Sequence, residues 1–172
     1  MSVFLEKLGQ GLGALARLMG VLAAVALSGI VVLICASTVM RYFVGASLYY
    51  TEELAGLLLS ASLFLALPIV THQSEHVRVT VLSTHLSDGG RKLLAIASAA
   101  VMLAFIAWYL REALPWLSFA MKRMIKTEAS NILLWPWMMT PLLGFGLSGL
   151  IIVVQVLTGR EASAIHESKP SE

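Results

Sequence analysis

The residues of this chain that could carry chemistry gather at the two ends of its second apolar run. Arg41, Ser47, Thr51, Glu52 and Glu53 precede that run; His72, Glu75, His76 and Arg78 close it. Nothing ionisable lies between Glu53 and His72, so the charges stand at both ends of a membrane-length segment. Charged groups near hydrocarbon are costly, and those that remain there generally have a partner or a task. His72 and His76 are four residues apart, a spacing at which two imidazoles on one helix face can bind a metal. All four histidines (His72, His76, His85, His166) fall outside the apolar runs, which leaves a haem without axial ligands inside the membrane. Glu52 and Glu53 are neighbours, about 100° apart on a helix, and cannot share a proton as a carboxylate dyad. No nucleophile–base arrangement or phosphate-binding loop is present. The residue types predict no enzyme, no metal and no cofactor; Glu53 is expected to cap or to pair, with Arg41 the nearest candidate cation.

The elements that position these residues follow from composition. The 172 residues are 58% hydrophobic and 13% charged, against about 45–50% and about 25% in soluble domains. A bilayer is the natural solvent for such a chain. A net charge of +2 without a basic face argues against nucleic acid. The single cysteine, Cys35, sits inside an apolar run, excludes an internal disulfide and reads as a small membrane-embedded side chain.

Four runs approach the roughly 20 apolar residues that cross a hydrocarbon core. They predict an all-α integral membrane protein with spans at about 18–40, 51–70, 93–110 and 136–158, together a membrane domain over 18–158. The first is bracketed by Arg17 and Arg41 and reads as an uncleaved helix, because its apolar run continues past Ala24-Val25-Ala26 to Met40. Thr51 is the expected N-cap of the second, with Glu52 and Glu53 at the positive end of its dipole. Pro136 suits the first turn of the fourth. Residues 1–17 and 116–126 alternate apolar with polar positions and predict amphipathic helices at the headgroups. Pro115 is expected to separate the second of these from the third span. Residues 159–172 form a polar tail expected to be disordered.

With the N-terminus inside, the inner segments carry seven of the 12 Lys and Arg and the outer ones five, which favours cytoplasmic N- and C-termini. Tyr42, Tyr49, Tyr50, Trp108, Tyr109, Trp116, Trp135 and Trp137 then form an aromatic girdle on the outer face. Small residues recur four apart at Gly20/Ala24, Gly56/Ser60, Ala100/Ala104 and Gly144/Ser148, spacing that permits close helix approach. With no internal repeat and no ionisable group at the span centres, the pattern favours a packing protein over a pore.

Arg41-Tyr42 after the first span, Ser47…Thr51-Glu52-Glu53-Leu54 leading into the second and Glu75-His76-Val77-Arg78-Val79 after it form an ordered set with Trp135-Pro136-Trp137…Pro141…Gly144. On these residues the chain, from about Leu18 to Leu157, resembles the small, DctQ-type membrane subunit of tripartite ATP-independent periplasmic (TRAP) transporters. Tyr50 stands where that family often has tryptophan, and Thr80 where an acidic residue often follows. The resemblance implies an accessory permease subunit of the bacterial inner membrane. Its implied partners are a large multi-spanning permease subunit, which holds the substrate and ion sites, a periplasmic substrate-binding protein, and membrane lipids. It further implies uptake of an organic acid, such as a carboxylate, driven by an ion gradient as in sodium symport. Arg41, Ser47, Glu52, Glu53, His76, Arg78, Lys122, Arg123, Trp135 and Pro136 are the candidates for contact with partner or lipid. A membrane anchor of a redox complex and a self-contained small channel or exporter are the competing classes.

Overall fold

The computed structural model describes residues 2–46, 48–73 and 88–158. They form four helices: α1 (Ser2–Phe43), α2 (Thr51–His72), α3 (Asp88–Arg123) and α4 (Trp135–Thr158). Each is long and apolar enough to cross a membrane. The second and fourth have 22 and 24 residues, close to one bilayer crossing. The other two have 42 and 36 residues, about 63 and 54 Å at 1.5 Å per residue, well beyond a core of about 30 Å.

One sequence expectation changes here, the break at Pro115. Residues 2–17 continue into the first span without a break, and residues 116–123 continue the third. Pro115 lies inside α3 and does not end it. Proline removes one N–H and forbids one i→i−4 bond, yet the interior of an apolar helix cannot readily be opened where no water can take the freed groups. Pro68 and Pro141 likewise sit inside α2 and α4. The carbonyl freed by Pro141 is that of Trp137, and it accepts the Thr140 hydroxyl at 2.7 Å.

The packing order is α1–α2–α4–α3, with an additional contact of α1 on α4. Burial follows this order: 33% of the most apolar stretch of α4 is buried, against 6% for α1. The central pair is therefore the core, and α1 and α3 are flanks with a wide apolar exterior.

Antiparallel registration is visible residue by residue. Along α1 and α2, Gly13 meets His72, Gly20 meets Ile69 and Gly29 meets Leu58. One core cluster joins Leu12 and Ala16 of α1 to Leu147 and Ile151 of α4, with Ile69 packed against them. A second joins Ala99 and Ile106 of α3 to Phe145 and Ile152 of α4, with Phe64 of α2 at its edge. Tyr109 and Phe145 lie 4.6 Å apart between ring centroids.

Of the small-residue pairs, Gly144/Ser148 is wholly inside the packing, both residues being buried. Any side chain at Gly144 would run into the backbone carbonyl of Phe64. Ser148 has no hydrogen-bond partner among the described residues, so it serves this crossing by its size. Gly56, Ala100 and Ala104 face outward instead.

Candidate functional site: two polar clamps at the ends of the second helix

The polar groups that organise the molecule lie at the two ends of α2, because backbone groups unsatisfied at a helix end must find partners. At the first end, Thr51 opens α2 as its first helical residue, and Tyr50 is the N-cap without a side-chain hydrogen bond. The expected Thr51 cap is thus replaced. Its hydroxyl donates to the Leu48 carbonyl at 2.7 Å and lies 3.0 Å from the hydroxyl of buried Ser37. That pairing fastens the outgoing end of α1 to the start of α2.

Glu53, one turn in, does not pair with Arg41. Its carboxylate accepts the Ala129 and Ser130 backbone N–H groups at 2.7 and 2.9 Å and the Ser130 hydroxyl at 2.7 Å. A carboxylate is an acceptor on both oxygens, and this one closes a three-donor cradle in the loop between α3 and α4. The loop itself is strongly built. Met124 adopts a left-handed φ of 47°, and the N–H groups of Met124 and Ile125 bond the carbonyls of Met121 and Ala120. That is a Schellman ending to α3, with methionine where glycine is usual. Lys126 and Leu133 then form an isolated antiparallel bridge, and the Thr127 N–H reaches the Ile132 carbonyl at 2.9 Å. Asn131 turns the tip with φ 53°, and Thr127 and Ser130 share a 2.8 Å hydroxyl contact.

At the second end, the amide of Gln155 in α4 donates to the Thr71 and His72 carbonyls at 3.3 and 3.2 Å. It ties the last carbonyls of α2 to α4. The imidazole of His72 packs on the backbone of α1 at Gly13, where a Cβ would lie 2.6 Å from Nε2. Each end of α2 is thus joined both to α1 and to the α4 side of the bundle. Gln155→Leu is expected to cost about 1 kcal/mol, seen as faster amide exchange confined to the last turn of α2, while Gln155→Asn, too short to reach, should behave alike.

Several candidates take definite positions. Arg41 is exposed in the last turn of α1, Glu52 is exposed beside Glu53, and Lys122 and Arg123 are exposed in the last turn of α3. The Arg123 guanidinium lies 5.7 Å from the Phe119 ring centroid, a cation–π distance. Trp135 is half-buried and Pro136 exposed in the first turn of α4. Ser47, His76 and Arg78 lie outside the described residues. Glu53 is brought to the loop that follows Lys122 and Arg123 and bears Lys126; Arg41 stands apart.

Sequence reasoning missed Gln155 and the loop cradle. Gln155 had a legible signal as the only side-chain amide in the fourth run. Glu112 follows the apolar stretch of the third span and stays within α3, which runs on to Arg123.

Four long apolar helices, the second clamped at both ends, define the chain as a multi-pass helical membrane protein. The family model for the DctQ component of tripartite ATP-independent periplasmic transporters matches residues 30–161. The chain belongs to this family and is a small permease subunit of that transporter class. Searches of curated proteins and of solved structures found no match.

Proposed function

We propose that this subunit widens and steadies the static scaffold of the transporter, leaving substrate and ion chemistry to the large permease subunit. The observation that carries this reading is the division of the fold. A tight α2–α4 core is tied at both ends, and two over-long flanking helices turn apolar surface outward. A domain that moves substrate across a bilayer needs a neighbour that does not move with it, and long helices anchored by aromatic residues at the headgroups resist displacement.

On this reading the substrate is an organic acid, the driving force is an ion gradient such as sodium, and both termini are cytoplasmic. The last turn of α3 and the loop after it, with Lys122, Arg123 and Lys126, are then periplasmic, and these cations help to dock the substrate-binding protein. Arg41, Glu52, Trp135 and Pro136 belong to the same outer collar, facing partner or headgroups; Ser47 falls in that stretch of sequence, and His76 and Arg78 on the inner side. Vesicles holding this chain together with a large subunit should take up acid only when the binding protein and an ion gradient are supplied. Uptake by the chain alone would overturn the assignment.

Charge reversal at Lys122 and Arg123 tests docking separately. Rim charges act mainly on association rate, so the double variant should slow binding-protein-dependent uptake by about tenfold at low salt, with the difference shrinking as salt rises. Complex assembly should be unchanged.

A further inference from the structure

Glu112 is an exposed carboxylate of α3, just past the apolar stretch 93–110, and it lines an otherwise largely apolar groove. Among the described residues its side chain takes no hydrogen bond or ion pair. The groove is open, of about 610 Å³, between α2, α3 and α4, and its walls include Leu57, Phe64, Trp108, Trp116 and Trp137. Trp108 and Trp116 keep 60% and 65% of their surface exposed, so the chain itself leaves these indoles uncovered. The groove lies near the end of the bundle that holds the Glu53 clamp, since Leu57 is four residues beyond Glu53 and Trp137 is in the first turn of α4.

We propose that this groove binds one amine-headed phospholipid, with an acyl chain along the apolar wall and the ammonium between Glu112 and the indole faces. Three features select that occupant. Glu112 is the only acidic group among the residues that line the groove, and a carboxylate at the edge of an apolar wall is complementary to a cationic headgroup. Indole faces attract ammonium groups, and more strongly where water is scarce. The volume is that of a small-molecule pocket, about 300–1,000 Å³, and the groove is open rather than enclosed. The site is independent of how the subunit serves transport.

The test uses the full chain in vesicles of phosphatidylethanolamine, phosphatidylglycerol and phosphatidylcholine, with a trace of phosphatidylethanolamine carrying a photoreactive acyl chain. Native mass spectrometry should show one phosphatidylethanolamine retained in preference to the other two, and crosslinking should label the peptides bearing Trp108 and Trp137. Glu112→Gln should erase about tenfold of headgroup preference while labelling persists, since the apolar wall is intact. Ala113→Trp, which fills the groove, should abolish the labelling. Equal retention of the three lipids, a preference untouched by Glu112→Gln, or labelling elsewhere would overturn the proposal. So would loss of groove labelling in the complex with the large subunit together with a zero-length crosslink from Glu112 to a basic residue of that subunit, because the groove would then seat a helix.

Discussion

Gly144→Ala is expected to destabilise the protein by about 3 kcal/mol, at the upper end of what overpacking one site usually costs. The added methyl would meet the backbone carbonyl of Phe64, and a backbone group cannot rotate out of the way as a side chain can. The reason that carbonyl stands there is local. Pro68 has no N–H, so the Phe64 carbonyl, four residues earlier, loses its helical partner. It faces instead the Cα of Gly144 on α4, where only a hydrogen-bearing glycine lets two backbones approach so closely. Gly146→Ala is the control, because a Cβ there meets nothing within 4 Å, and it should be neutral or slightly stabilising through helix propensity. Thermal unfolding in detergent separates the two. Pro68→Ala sharpens the test by returning an N–H to the Phe64 carbonyl and drawing it toward the axis of α2. The cost of Gly144→Ala should fall by about 1 kcal/mol in that background. Equal melting of the two alanine variants, or strict additivity with Pro68→Ala, would refute the account of this crossing.

That crossing also marks how far the sequence could be read. The four spans were legible because nothing but a bilayer accommodates such long uncharged runs, and the Gly144/Ser148 spacing correctly marked a close contact. The same spacing at Ala100/Ala104 faces outward, since four-residue periodicity places two residues on one face without saying which helix, if any, lies opposite. Helix ends were harder. Thr51 has the side chain of a cap, but its hydroxyl turns back to Leu48 and across to Ser37, a choice fixed by α1 rather than by local sequence. Pro115 has the signature of a break, yet the helix runs on to Arg123. The partner of Glu53 was the least legible of all. Arg41 was the nearer charge in sequence, whereas the true donors are two backbone N–H groups and a serine hydroxyl 76 and 77 residues away. Peptide groups are everywhere in a sequence, and only the loop geometry selects them.

Glu53→Gln is expected to release the α3–α4 loop while leaving all four helices formed. The carboxylate is an acceptor on both oxygens, matched to the donors of Ala129 and Ser130; the amide keeps one acceptor and turns an NH2 toward a donor. At least one of the three bonds is therefore lost and replaced by donor–donor opposition. Glu53→Asp keeps the charge but withdraws it by one methylene, so it should fail at the same bonds through distance. Ser130→Ala removes a single donor and should be milder. Amide exchange at Ala129–Asn131 is the direct readout: protection should drop by about tenfold or more in Glu53→Gln as local opening becomes easier, with circular dichroism unchanged. The loop leads straight from the cations of the last turn of α3, so freeing it also frees their placement. If those cations dock the binding protein, Glu53→Gln should slow binding-protein-dependent uptake, and adding it to the Lys122/Arg123 charge reversal should do little more, since both act through one surface. Unchanged exchange at Ala129–Asn131 would refute the clamp. Lost protection with full uptake would leave the clamp standing and remove its role in docking.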